Sequence, residues 1–317
     1  MHSLSVPLIR PAPSLIRRNA SFTATAEVVL RFGMMEGSAV VEADRCIYDP
    51  QSAFQPEPFE QNGSRAARLA IVANRGEMLA LGGCADPISA ARTLLTRNVE
   101  VVIVKSGVHG AVVVEAEKQT RVPPYRTEQV WTIGSGDVFA AIFAAHWGVH
   151  GATAVESARQ ASRAVAEYAR SMALPVPSAS TLAAATLPEA TAAGGQVYLA
   201  GPFFTLGQRW LVDEARRCLL ELGMEVFSPV HDVGHGSAEE VAPADLAQLH
   251  KSDAVFAILD GTDSGTLFEV GYARAHNKPV YALAQTVSEE DLKMVKGSGC
   301  FIYDDFVTAV HHIAWRG

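Results

Sequence analysis

A chain of 317 residues with 49% hydrophobic content is long enough for two ordinary domains and too apolar for disorder to dominate. Its formal charge of −8 and pI near 5.7 exclude a broad nucleic-acid-binding surface, so no nucleic-acid polymer is expected as partner, while a pocket for a small ligand or a single nucleotide stays open. Cys46, Cys84, Cys218 and Cys300 are scattered, with no C-x-x-C pair and no histidine at zinc spacing, the usage of reduced thiols in a cytosolic protein.

Residues 1–19 read as an N-terminal extension. Arg10, Arg17 and Arg18 are present, but Pro7, Pro11 and Pro13 interrupt the apolar run a signal peptide needs. No stretch is apolar for long enough to span a bilayer, so a cytoplasmic protein without membrane contact is expected.

From residue 20 to 174 short apolar runs at Ala39–Val41, Leu69–Val72 and Val99–Val104 alternate with helix-like segments such as Asp86–Arg97, the rhythm of βαβ units. Val112–Val114 and Arg121–Val122 predict a hairpin, and Gly136–His146 a buried helix. Residues 175–196, with Pro175, Pro177 and Pro188 among Ala, Ser and Thr, read as a linker. Residues 197–317 repeat the βα rhythm more cleanly: strand Val197–Ala200, helix Gly207–Leu222, strand Glu225–Ser228, helix Ala242–His250, strand Ala254–Leu259, helix Leu267–His276 and strand Val280–Leu283. A doubly wound parallel sheet follows.

The turn Gly134-Ser135-Gly136-Asp137 precedes the apolar helix of the first domain. Glycines there let backbone amides approach an anion, the helix N-terminus favours negative charge, and Asp137 could deprotonate a hydroxyl. An ordinary helix-opening turn with Asp137 as a first-turn acid is the competing reading. With Asn74-Arg75-Gly76-Glu77 and Lys105-Ser106-Gly107-Val108-His109-Gly110 in order before it, this region resembles the ribokinase-like (PfkB) carbohydrate kinases. The resemblance implies Asp137 as catalytic base, Gly134, Ser135 and Gly136 as anion hole, Asn74 and Glu77 tied to magnesium and phosphate, and ATP with Mg as ligands. Members of that family carry a sugar-binding half ahead of the part seen here, and Val130-Trp131 replaces the acidic residue usual before Thr132. A domain without the acceptor's pocket is a poor independent kinase, because phosphoryl transfer depends on positioning both partners. Nucleotide sensing or a structural role competes with kinase activity.

In the second domain, Tyr198-Leu199-Ala200-Gly201-Pro202-Phe203-Phe204 ends a strand in an aromatic-walled mouth, although aromatic residues are more often packing than a stacking platform. Glu269 stands at the first turn of a predicted helix and Asp263 at the mouth of the preceding strand. An N-glycosidic bond breaks through a cation-like sugar, which a carboxylate beneath the anomeric carbon can stabilise or capture, and the departing base needs a nearby acid. A helix-start acid is the bland reading of Glu269, and a strand-start residue that of Asp253.

Together with Asp245-Leu246, Ser252-Asp253, Asp263-Ser264-Gly265-Thr266 and Phe268-Glu269-Val270-Gly271-Tyr272-Ala273, the opening resembles the nucleoside 2-deoxyribosyltransferases over nearly the whole domain. The resemblance implies Glu269 as nucleophile, Tyr198 as its orienting residue, and Asp245 and Asp263 as groups that hold and protonate the base. It implies Gly201, Phe203, Phe204 and Gly265 as further substrate contacts. It also implies a nucleoside or nucleotide substrate, no cofactor for the glycosyl chemistry and a homo-oligomer.

The transferases' C-terminal asparagine has no equivalent in Gly297–Asp305, which keeps water in contention as the sugar's acceptor. His231, Asp232 and His235 lie in a Gly/Pro loop without a third ligand at recognisable spacing, and the adjacent His311 and His312 face different ways on a helix, so no metal site is expected. The expected fold is α/β: a partial ribokinase-like domain followed by a small doubly wound, flavodoxin- or Rossmann-like, parallel-sheet domain.

Overall fold

The computed structural model describes residues 15–52, 55–96, 98–234 and 236–316. Most of the extension read at 1–19 and the His235 of the histidine loop lie outside the described residues. The chain divides into two compact units after Ala190.

The first unit holds strands β1 (Thr23–Phe32), β2 (Val40–Asp49) and β3 (Arg65–Asn74), helices α1 (Arg75–Gly82) and α2 (Pro87–Leu94), and strands β4 (Val99–Lys105), β5 (Ala111–Glu115) and β6 (Lys118–Val122). Helices α3 (Ser135–Phe143), α4 (Ala154–Ser171) and α5 (Ala179–Ala184) follow. The six strands lie in numerical order, β1 to β4 parallel and β4 to β6 antiparallel. Helices cover both faces, so successive residues of β4 enter different cores: Val101 and Ile103 pack with Phe139, Phe143 and Trp147, and Val102 and Val104 with Met78, Ala90 and Ala91. Burial on both faces explains the unbroken apolar run that made β4 stand out.

The predicted helix Gly136–His146 divides into α3 and a π-helical turn at Ala144–Val149. The long α4 and the edge strand β1 are additions to the predicted elements. Part of the stretch read as a linker is folded onto this unit instead. Ser178 caps α5, Leu182 packs against Val138 and Ala164, and Ala190 N–H donates to Pro124 O at 2.8 Å. One leucine behind a serine cap anchors an otherwise featureless segment.

The second unit contains β7 (Gln196–Ala200), α6 (Leu206–Glu221), β8 (Glu225–Phe227), the short α7 (Pro229–Asp232), α8 (Ala238–Lys251), β9 (Ala254–Ile258) and α9 (Ser264–Ala275). It ends with β10 (Val280–Leu283), α10 (Glu289–Gly297), β11 (Phe301–Tyr303) and α11 (Phe306–Ala314). All five strands are parallel, in the order β11-β10-β9-β7-β8. The chain reverses direction across the sheet at β7, and in such sheets ligands bind outside the carboxyl ends of the strands at that switch point. Among the described residues no helix is long and apolar enough to cross a membrane.

Two helix starts move the candidate residues. Asp263 caps α9 by accepting from Thr266 N–H at 2.7 Å, so the helix begins at Ser264 and Glu269 lies in its second turn. The expected first-turn position for Glu269 is therefore wrong, and the dipole-partner reading passes to Asp263. A Ser237–Glu240 capping box likewise starts α8 at Ala238 instead of the expected Ala242, so Asp245 lies deeper in the helix.

Candidate active site

At the switch point β7 contributes Tyr198, whose ring is fully buried and packs against Phe227 at 5.5 Å between centroids. The phenol donates to Glu269 Oε1 at 2.5 Å, joining the first strand of the unit to α9. Around Glu269 opens a cavity of about 320 Å³ lined by Gly201, Phe203, Phe204, Asp245, Asp263 and Gly265 among others. A second concavity of about 510 Å³ shares Phe203, Asp245, Gly265 and Glu269 with it.

Burial pushes the Glu269 carboxyl up to about 7. The Tyr198 hydrogen bond opposes this, while the carboxylates of Asp245 and Asp263 reinforce it. Burial and the adjacent carboxylates also raise the Tyr198 phenol, which therefore serves as a proton donor in the hydrogen bond. Burial raises Asp245 as well, and its Oδ1 is buried without a hydrogen-bond partner. Asp263 is differently placed, since its Oδ2 accepts from both the amide and the hydroxyl of Thr266. Burial thus favours the protonated form of Asp245.

The glycines fit by close approach. A Cβ on Gly201 would lie 3.2 Å from Ile258 Cβ, and one on Gly265 3.1 Å from Asp263 Oδ2. Phe203 and Phe204 pack on one another at 5.2 Å, with Phe204 exposed at the mouth. Asp253 accepts from Gln196 N–H at 2.8 Å, a strand-start role away from the cavity.

The histidine loop proves to be a hydrogen-bonded chain. His231 Nδ1 meets Ser228 Oγ at 2.9 Å and its Nε2 meets Asp213 Oδ1 at 2.9 Å. Ser228 lines the cavity. Sequence reasoning missed this trio because Asp213 is 18 residues from His231 and only the packing of α6 beside α7 brings them together. Among the described residues no three His, Cys, Asp or Glu side chains converge as a metal site.

The kinase-like residues of the first unit gather at strand ends. Gly134 has φ of +80° and a Cβ there would lie 2.8 Å from Tyr168 Oη, which itself donates to Ile133 O. Gly136 lies beside Lys105, whose Nζ is 3.3 Å from where a Cβ would stand. Ser135 donates its hydroxyl to Thr132 O, and Asp137 accepts from Gln51 Nε2. Asn74 and Glu77 form the capping box of α1, with Glu77 Oε1 also accepting from Ser52 N–H at 3.1 Å. The sequence reading passed over Asp49, a fully buried carboxylate paired with Lys105 Nζ at 2.5 Å. Burial pushes it up to about 6 against the pull of Lys105, and its Oδ1 has no hydrogen-bond partner. An acid before Pro50 at the end of the short apolar run Cys46–Tyr48 was the available signal.

Residues 197–302 match the model of the nucleoside 2-deoxyribosyltransferase family, and residues 40–174 match that of the pfkB family of carbohydrate kinases. The chain therefore joins a segment similar to the pfkB carbohydrate kinases to a domain of the nucleoside 2-deoxyribosyltransferase family. A solved 2-deoxyribosyltransferase from Bacillus psychrosaccharolyticus is 31% identical over 36% of this chain and 95% of its own, with a TM-score of 0.31. The 2-desoxiribosyltransferase from Leishmania mexicana is 18% identical over 38% of this chain and 97% of its own, with a TM-score of 0.33. Ribokinase from Thermotoga maritima is 21% identical over 50% of this chain, with a TM-score of 0.38, and this chain spans 56% of its length. No curated protein matches.

Proposed function

We propose that the second unit cleaves the N-glycosidic bond of a nucleoside or nucleotide through Glu269. The observation that carries this reading is the Tyr198–Glu269 hydrogen bond of 2.5 Å at the wall of a cavity that also holds Asp245 and Asp263. Ionised Glu269 attacks the anomeric carbon while the carbon–nitrogen bond breaks and its electron pair goes to the base. A nearby acid, Asp245 by its burial or Asp263 by its position, gives the base a proton. The glycosyl ester on Glu269 is then resolved by a second base or by water. Incubation with deoxynucleosides and deoxynucleotides, with and without a second free base, distinguishes the acceptors: exchange means transfer, and base release alone means hydrolysis. Absence of both, with every base tested, would defeat the proposal.

A second reading concerns the first unit, a nucleotide sensor that binds without phosphoryl transfer. It is favoured by Gly136, which puts no side chain between the start of α3 and Lys105 and so leaves room for a phosphate group. A solved putative ribokinase from E. coli was crystallised with ATP and Mg. Magnesium is less well served here, because both Glu77 oxygens accept backbone amides and Asp137 is engaged by Gln51. Calorimetry with ATP, with and without magnesium, should show binding that Gly136→Val removes; heat unchanged by that substitution would count against the sensor.

A further inference from the structure

Resting on the glycosidase reading of the same cavity, the Asp213–His231–Ser228 chain assigns a polarity to the wall away from Glu269. In the β7–β8 register Tyr198 pairs with Phe227, so Ser228 follows Phe227 onto the opposite face of the sheet, the face carrying α6 and Asp213. The backbone of Ser228 is already committed: its amide donates to Asp232 Oδ2 at 2.8 Å, and its carbonyl accepts from the amides of His231 and Asp232. The side chain is what Ser228 has left to offer the cavity.

Asp213 holds the imidazole in one tautomer. A carboxylate facing Nε2 requires a proton there, so in the neutral ring Nδ1 carries the lone pair and accepts the Ser228 hydroxyl proton. With its own hydrogen turned to His231, Ser228 Oγ has only lone pairs to present. We infer that Ser228 is a specificity residue that accepts a hydrogen bond from an N–H or O–H of the substrate, with His231 and Asp213 as positioning residues. Substrate groups that carry this chemistry include the exocyclic amino group of an adenine or cytosine base and the 5′-hydroxyl of the sugar. Groups with only acceptor atoms there leave the Ser228 lone pairs unmatched, which discriminates because burying an unpaired polar atom is costly.

The test is calorimetric binding at pH 8 to Glu269→Ala protein, which removes turnover from the comparison. Deoxyadenosine is paired with deoxyinosine, deoxycytidine with deoxyuridine, and each with its 5′-deoxy analogue. A roughly tenfold preference is expected for whichever donor Ser228 reads, the worth of one hydrogen bond of about 1.4 kcal/mol. Ser228→Ala should erase it and Ser228→Thr keep it. Should Ser228→Ala fail to fold, Asp213→Ala, at an exposed position, releases the tautomer and should shrink the same ratio. Equal binding of all analogues, or a preference that survives Ser228→Ala, overturns the inference and leaves the glycosidase reading standing. A Ser228-dependent preference in a protein whose wild type releases no base supports the inference and defeats the reaction. No nucleoside binding at all overturns the inference, and the glycosidase reading then stands or falls on base release from deoxynucleotides.

Discussion

Tyr198, on the first strand of the second unit, donates its phenolic proton to Glu269 in the second turn of α9 at 2.5 Å. The bond stabilises the ionised form of a carboxyl that burial otherwise drives towards neutrality at about 7. Removing the hydroxyl by Tyr198→Phe should therefore raise the Glu269 pKa further and lower kcat/KM by about tenfold to a hundredfold. The check is a pH–rate profile: activity rises with pH through the carboxyl's pKa, and the rise moves to higher pH in the variant.

The same burial makes stability depend on pH. Burial holds the Glu269 carboxyl at about 7 against an ordinary value of 4.5, so the folded state holds its proton more tightly. Its contribution is fully present below about 4.5 and is lost as pH rises to about 7, a decline of the order of 3 kcal/mol. Asp49 adds a decline of the same sign in the first unit, between about 3.8 and 6. Urea unfolding of wild type and Glu269→Gln across this range should show the second unit's decline flattened in the variant.

Asp263 combines two tasks that substitution can separate. Asp263→Ala should lose about 1 kcal/mol as the cap of α9 goes, whereas Asp263→Ser keeps a capping oxygen. If Asp263 protonates the base, the serine variant loses activity at unchanged stability. Because Asp245 is the acid with a buried, unpartnered oxygen, Asp245→Asn should cost the larger factor in kcat, as steady-state kinetics on both variants would show.

Lys105 neutralises a fully buried Asp49. Lys105→Met should destabilise the first unit by about 3–5 kcal/mol at neutral pH, as breaking one side of a buried pair does, and the double variant with Asp49→Asn should recover most of it. Differential scanning calorimetry of the single and double variants measures the coupling.

Where apolar runs were unbroken, as in β4 and β9, strands were readable because burial on both faces leaves no alternation to misread. The helix α4 was passed over although its buried residues Ala154, Ser157, Ala158, Ala161 and Ser162 recur at helical spacing, because they are small and only weakly apolar. Glu269, Asp263 and Asp245 could be singled out by residue type and spacing. Their unequal environments were legible only in part: Asp263's engagement with Thr266 is a local cap of α9, whereas Asp245's isolation arises only when α8 packs into the fold. Ser228, His231 and Asp213 needed the turn of α7 against α6 to become a chain.

The central claim is a covalent role for Glu269, and intact-protein mass spectrometry of acid-quenched reactions with deoxynucleosides tests it most directly. The account predicts a deoxyribosyl adduct that maps to the peptide containing Glu269 and is absent, together with base release, in Glu269→Ala. An unmodified protein throughout turnover, with Glu269→Ala releasing base at the wild-type rate, would contradict it.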